Sequence, residues 1–190
     1  MGLEIGFTAY RKTGYAGNWK LEKIDNRIHD NDYMCGRTDL NYAWGRFFHD
    51  SCEITFDEDL KDYPIYESDD GYVTKLDYVS WDEFKKYMMR SIEEAKEQEK
   101  EDRKGLENTL EVYEEKRKEI LRMQLTATCE SEYKNAERMV AELDNTIAEI
   151  KRDLSDEHYF ATGADSMKAM LELMETLMDY GITVIAYWSD

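Results

Sequence analysis

Apolar positions change their period three times along the chain, and each change marks a different kind of element. Leu3, Ile5, Phe7 and Ala9 alternate strictly with polar neighbours, which predicts a strand. "RKTGYAGN" reads as a turn-rich connection, and alternation resumes at Trp19 and Leu21, so a β-hairpin is expected. Residues 26–33 are polar and predict a loop. "TDLNYAWGRFF" (38–48) predicts a short helix capped by Thr38 or Asp39, and "CEITF" (52–56) a strand. "DEDLKDYPIYESDDGY" (57–72), with the only proline, predicts an exposed acidic loop that ends in a Ser-Asp-Asp-Gly turn. "YVTKLDYV" (72–79) predicts one more strand.

From Ser80 onward the period becomes helical. Ser80-Trp81-Asp82-Glu83 is a capping box, in which hydroxyl and carboxylate satisfy the free amides of a helix start. Phe84, Met88, Ile92 and Ala95 form one stripe, and Leu106, Leu110, Tyr113 and Ile120 another. Between them "KEQEKEDRKG" (96–105) holds no apolar side chain. Tyr133, Ala136, Val140, Leu143, Ile147, Ile150 and Leu154 step by three and four, which is a heptad seam. "TATCES" (126–131) is the weakest helix-forming stretch and predicts a turn. The returning helix then runs antiparallel, Tyr133 near Leu125 and Leu154 near Leu106, and leaves 96–105 as a solvated neck. The alternative is one continuous helix to about residue 154, roughly 110 Å at 1.5 Å per residue, dimerising in parallel.

Beyond the seam, Thr162 or Asp165 caps a helix with Met167, Met170, Leu171, Met174, Leu177 and Met178 on one face, and Gly181 stops it. "ITVIAYW" (182–188) is apolar on both faces, as a central strand must be, and pairs with strands from residues 1–80. The expected fold is therefore α+β. Residues 1–80 and 156–190 build a base domain, a small mixed or antiparallel sheet with packed helices, and 81–155 form an inserted antiparallel helical hairpin, a coiled coil.

Composition sharpens this picture in two places. Three cysteines without paired spacing argue against a disulfide framework and for a reducing, cytoplasmic setting. The stretch MGLEIGFTAYRK lacks the apolar core of a secretory signal, Gly6 stands where a myristoylation motif needs Ser or Thr, and no run of eighteen apolar residues predicts a membrane span. With 25 basic and 43 acidic residues the net charge is −18. Residues 81–155 are nearly balanced, with 15 basic and 20 acidic, so the excess sits on the two flanking segments. Such a polyanion repels nucleic acid and anionic membranes, whose binding needs Lys and Arg to displace counterions.

Candidate chemistry is sparse. No G-x-S-x-G, phosphate-binding or dinucleotide-binding loop occurs. His29, Cys35, His49 and Cys52 could form a zinc set, but their spacing matches no usual knuckle, and Cys35 and Cys52 also suit a core. Acidic pairs such as Asp57-Glu58-Asp59 and Asp69-Asp70 lack the spacing of a calcium loop. No metal or other cofactor is expected. The partner-binding residues expected instead are Glu53, Asp57, Glu58, Asp59, Asp62, Tyr63, Tyr66, Glu67, Asp69 and Asp70, an acidic segment with tyrosine anchors. The hairpin tip, residues 118–135, adds Met123, Leu125, Cys129 and Tyr133.

The opening Met1-Gly2-Leu3-Glu4-Ile5, the stretch Gly36 to Phe48 with its aromatic and basic residues, and the acidic helix and strand of 160–188 together resemble small uncharacterised proteins of bacteriophages and prophages that open Met-Gly-Leu-Asp. Glu4 replaces the Asp, and the helical segment has no counterpart in that group. The resemblance implies a phage or mobile-element setting rather than a chemistry. The expected function is accordingly an accessory protein that inhibits a host defence protein by direct binding, in the manner of an anti-CRISPR protein. The expected partner is a basic nucleic-acid-binding effector. Two alternatives stand beside it: a metal-dependent hydrolase acting on a nucleotide signal, and a structural coiled-coil oligomer, a homodimer through 106–154.

Overall fold

A computed structural model describes residues 4–24, 38–48, 53–67, 73–156 and 159–189. The chain divides into two compact units, 1–96 with 162–190, and 97–161. The fold is mixed α/β.

The first unit is organised around one sheet. Strands β1 (Glu4–Tyr15), β2 (Asn18–Lys23), β3 (Glu53–Thr55), β6 (Asp77–Tyr78) and β7 (Thr183–Ser189) lie in the order β2-β1-β7-β3-β6. All pairs are antiparallel except β3 with β6, so the sheet is mixed. β7 is central between β1 and β3, as its apolar run demands. The β1–β2 hairpin is present, but β1 continues through "RKTG" to Tyr15, and only Ala16 and Gly17 turn. Gly14 makes this possible: its φ is +111°, and a Cβ there would lie 2.3 Å from the Asn18 carbonyl oxygen.

One face of the sheet carries Ile5, Phe7, Val184 and Ala186, packed against α1 (Thr38–Gly45), the first turns of α2 (Trp81–Leu125) and α4 (Ala164–Asp179). Trp44 of α1 is fully buried and donates its Nε1–H to the Tyr187 carbonyl at 2.9 Å, which fixes that helix to β7. Phe84, Met88 and Ile92 join this core, so residues 81–96 belong with the sheet rather than with 97–161. The stripe of Met167, Met170, Leu171 and Met174 is buried here as well, and Gly181 (φ +76°) ends the turn after α4. Thr162 Oγ1 accepts from the Ala164 amide at 3.3 Å, at the start of that helix.

The other face buries Leu60, Leu76 and Ile185 with Tyr10, Trp19, Leu21, Tyr63 and Ile65 around them. This corrects the expectation of an open loop over 57–72. Residues 58–60 form a 3-10 turn with Leu60 fully buried, and β4 (Pro64–Glu67) pairs antiparallel with β5 (Val73–Lys75) in a second sheet. In place of the single strand expected over 72–79, the described residues 73–79 hold two strands, β5 and β6 (Asp77–Tyr78), in different sheets, with Leu76 buried between them. Leu76 exchanges backbone bonds with Tyr63 and Asp62, which ties the two segments together. The loop expected at 26–33, the Ser-Asp-Asp-Gly turn and the two side chains proposed to cap α1 lie outside the described residues.

In the second unit α2 and α3 (Glu130–Ser155) are joined by a turn at 126–129. Ile120, Ala136 and Leu143 bury one another with Tyr113, Met139 and Val140 at their margin, and Ile147 and Ile150 are also buried. Arg117 pairs with Asp144, and Lys151 with Glu114 at 2.7 Å. Near the other end the Arg103 guanidinium donates to the Leu154 carbonyl at 3.3 Å and lies over the Phe160 ring. The polar stretch 97–105 is otherwise served by pairs along its own helix, Lys100 with Glu97 and Gln98 with Asp102. These need no apolar partner, which is how a helix crosses nine residues without a buried face. Among the described residues no helix is long and apolar enough to cross a membrane.

Candidate functional site

The acidic segment is the first region to consider, because charge singled it out. Glu53 lies on β3 opposite Tyr187 and is half-buried; burial pushes its carboxyl up, with Lys23 acting the other way. Tyr10 is raised by burial and by the charge of Glu53, against a hydrogen bond with Thr8. Asp57 caps the 3-10 turn, its Oδ1 accepting from the Asp59 amide at 3.1 Å. Both Asp57 and Asp59 are ion-paired with Lys12, which lies 4.5 Å from the centre of the Trp19 ring. Burial pulls the Lys12 ammonium down, but its bonds to Asp57 and Asp59 outweigh this, and the net shift is upward. Tyr63 donates its hydroxyl to the Trp19 carbonyl at 3.3 Å.

Three of the expected partner-binding side chains, Asp57, Asp59 and Tyr63, are thus engaged by the fold itself. Glu58 and Asp62 remain exposed, and Tyr66 and Glu67 are strand residues of β4. Asp69 and Asp70 lie outside the described residues. An open cleft of about 490 Å³ runs past Lys12, Asp57, Glu58, Phe56, Tyr78 and Met178. Its one amine and two carboxylates set no nucleophile beside a base, and Lys12 already neutralises Asp57. The set His29, Cys35, His49 and Cys52 lies outside the described residues, and among those described no group of three or more His, Cys, Asp or Glu side chains could hold a metal.

The turn between α2 and α3 is the second region, and there the balance is reversed. Thr126 Oγ1 donates to the Arg122 carbonyl at 3.1 Å, while Glu132 accepts from the Thr128 amide and hydroxyl at 2.9 and 3.0 Å. Those two bonds hold the Glu132 carboxyl below its usual range. Every polar group of the turn named here is used locally. The apolar ones are not: Leu125 is 86% exposed, Met123 58% and Tyr133 48%. Met123 also lines a cleft of about 290 Å³ with Ile120, Ala127, Ala136 and Met139. Cys129 is exposed at the start of α3, its sulfur 3.1 Å from Ser131 Oγ. Sequence pattern pointed to Met123, Leu125 and Tyr133 but not to the cleft, whose lining comes from both sides of the turn.

No protein-family model, no curated protein and no solved structure matches this chain.

Proposed function

We propose that this protein is a phage or mobile-element accessory protein that binds and inhibits a host defence protein, with the turn of an antiparallel coiled-coil hairpin as its contact. The observation that carries the reading is the exposure of the large apolar residues Met123, Leu125 and Tyr133 around the turn, Met123 also lining a cleft. A turn that satisfies its polar groups and leaves large apolar ones in water is suited to a protein interface, where such groups become the anchors. The charge of −18 selects the partner's sign. A basic, nucleic-acid-binding effector would be drawn to it faster than a neutral one. Glu58 and Asp62 add exposed carboxylates, whereas Asp57 and Asp59 serve Lys12. The opening residues and their resemblance to phage and prophage proteins favour the same setting.

The test is expression in a bacterium carrying a defined defence system, challenged with a phage that the system restricts. The reading expects restored plaque formation and a stoichiometric complex with one component of the system. That complex should weaken as salt rises and be lost in Leu125→Asp. Full restriction across a panel of defence systems, with no complex formed, would overturn it.

A further inference from the structure

Strand β2 ends the five-stranded sheet, and among the described residues nothing pairs with its outer side. Its register with β1 determines what that side presents. The hairpin closes with Tyr15 opposite Asn18, and the Ile24 amide donates to the Ala9 carbonyl at 2.9 Å. In an antiparallel pair such bonded rungs alternate, so Asn18, Lys20 and Glu22 turn their backbone groups toward β1. Trp19, Leu21 and Lys23 turn theirs to the open edge. Such an edge is a template for a further strand, and the charges it carries decide which strand can add.

The side chains of β2 decide which strand fits. Lys20 and Glu22 are exposed on one face, and Trp19 and Leu21 are half-buried on the other, at the margin of the Leu60 cluster. Laid antiparallel against a second β2 with a two-fold axis at Leu21, the strand meets itself in register. Trp19 faces Lys23, Leu21 faces Leu21, and each of these rungs brings outward-pointing N–H and C=O groups together, so both bonds of every rung form. Lys20 of each copy then stands opposite Glu22 of the other. Moving the axis to Lys20 or to Glu22 still lets the outward backbone groups meet but sets Lys20 opposite Lys20 or Glu22 opposite Glu22, so charge and not backbone geometry separates the registers. Among these antiparallel self-pairings the charge pattern therefore selects the register centred on Leu21. We infer that the outer edge of β2 is a self-pairing surface, where a second copy of this chain adds antiparallel about Leu21 to continue the sheet. This surface is distinct from the turn of α2 and α3 and needs no host protein.

The test uses the whole chain at about 0.15 M salt, with sedimentation reporting mass against concentration. The inference expects two-chain mass that dissociates on dilution, and slowed amide exchange at Trp19, Leu21 and Lys23 in concentrated samples. Lys20→Glu and Glu22→Lys should each weaken self-association at least about tenfold, because two attractive cross-strand pairs become repulsive. Mixing the two variants restores opposite charges across the interface and should restore two-chain mass, which a folding failure would not do. Single-chain mass at the highest concentration reached would overturn the inference. So would a dimer indifferent to both charge reversals and abolished by Ile147→Glu, since that result assigns contact to the helices.

Discussion

The segment 57–63 and the turn 122–133 make an instructive pair. The first is crowded with carboxylates, yet its two best-placed ones are held by Lys12, its tyrosine is bonded to the Trp19 carbonyl, and Leu60 among them is fully buried. The second has unremarkable charge, and its polar groups close on one another while Met123 and Leu125 stay in water. A dense run of charge thus marks a place where the fold fastens one layer to another. A sparse apolar set on a turn marks a place with capacity left over. For reading function, unspent groups matter more than abundant ones.

Removing Leu60 is the most severe way to challenge this contrast. Leu60→Ala empties a site between the sheet and the 3-10 turn, and losing a buried leucine costs about 2–5 kcal/mol. Thermal or denaturant unfolding of the first unit should register the full loss. A loss within about 0.5 kcal/mol, as surface substitutions give, would make 57–63 the free acidic loop that its composition suggests.

The middle of the scale belongs to Lys12. Lys12→Met deletes an ammonium that two carboxylates share in a partly buried setting, and a cost of about 1–2 kcal/mol is expected at neutral pH. The pH dependence follows from the upward shift of Lys12. A raised amine contributes stability that is whole below its unfolded value of 10.5 and is lost as pH rises through the higher folded value. Wild-type and variant unfolding midpoints should therefore stay apart through neutral pH and converge in the alkaline range above 10.5. Curves that converge on the acid side alone would assign the shortfall to the carboxylates and not to the amine.

These partnerships also show which parts of the molecule were legible. β7 could be read because a central strand must be apolar on both faces, and α4 because four buried side chains recur at helical spacing. The strand β4 could not. Pro64 and its acidic flanks follow loop chemistry, and its pairing with β5 depends on a hook made by Leu76 with Asp62 and Tyr63. The fate of Asp57 was equally hidden, since Lys12 precedes it by 45 residues and sits on a stretch that reads as a turn. Local pattern reports the period of burial; it does not report which distant charge claims a carboxylate. The cleft beside Ile120 was half-visible for the same reason. Exposed Met123 and Leu125 break the stripe of α2, but the cleft itself is lined by residues brought together from α2, the turn and α3, such as Ile120, Ala127 and Ala136, which local pattern does not connect.

The smallest expected effect on the fold is also the one that tests function most directly. Leu125 is the most exposed large apolar residue among those described. Leu125→Asp should leave unfolding unchanged to within about 0.5 kcal/mol, since a solvated carboxylate replaces a solvated isobutyl group. The same change should abolish binding of a defence protein, because an anchor in a desolvated contact cannot be replaced by a charge. A variant that unfolds early would show Leu125 to be a packing residue, and the contrast with Leu60 would collapse. A stable variant that still binds would move the contact away from the turn, toward the exposed carboxylates Glu58 and Asp62.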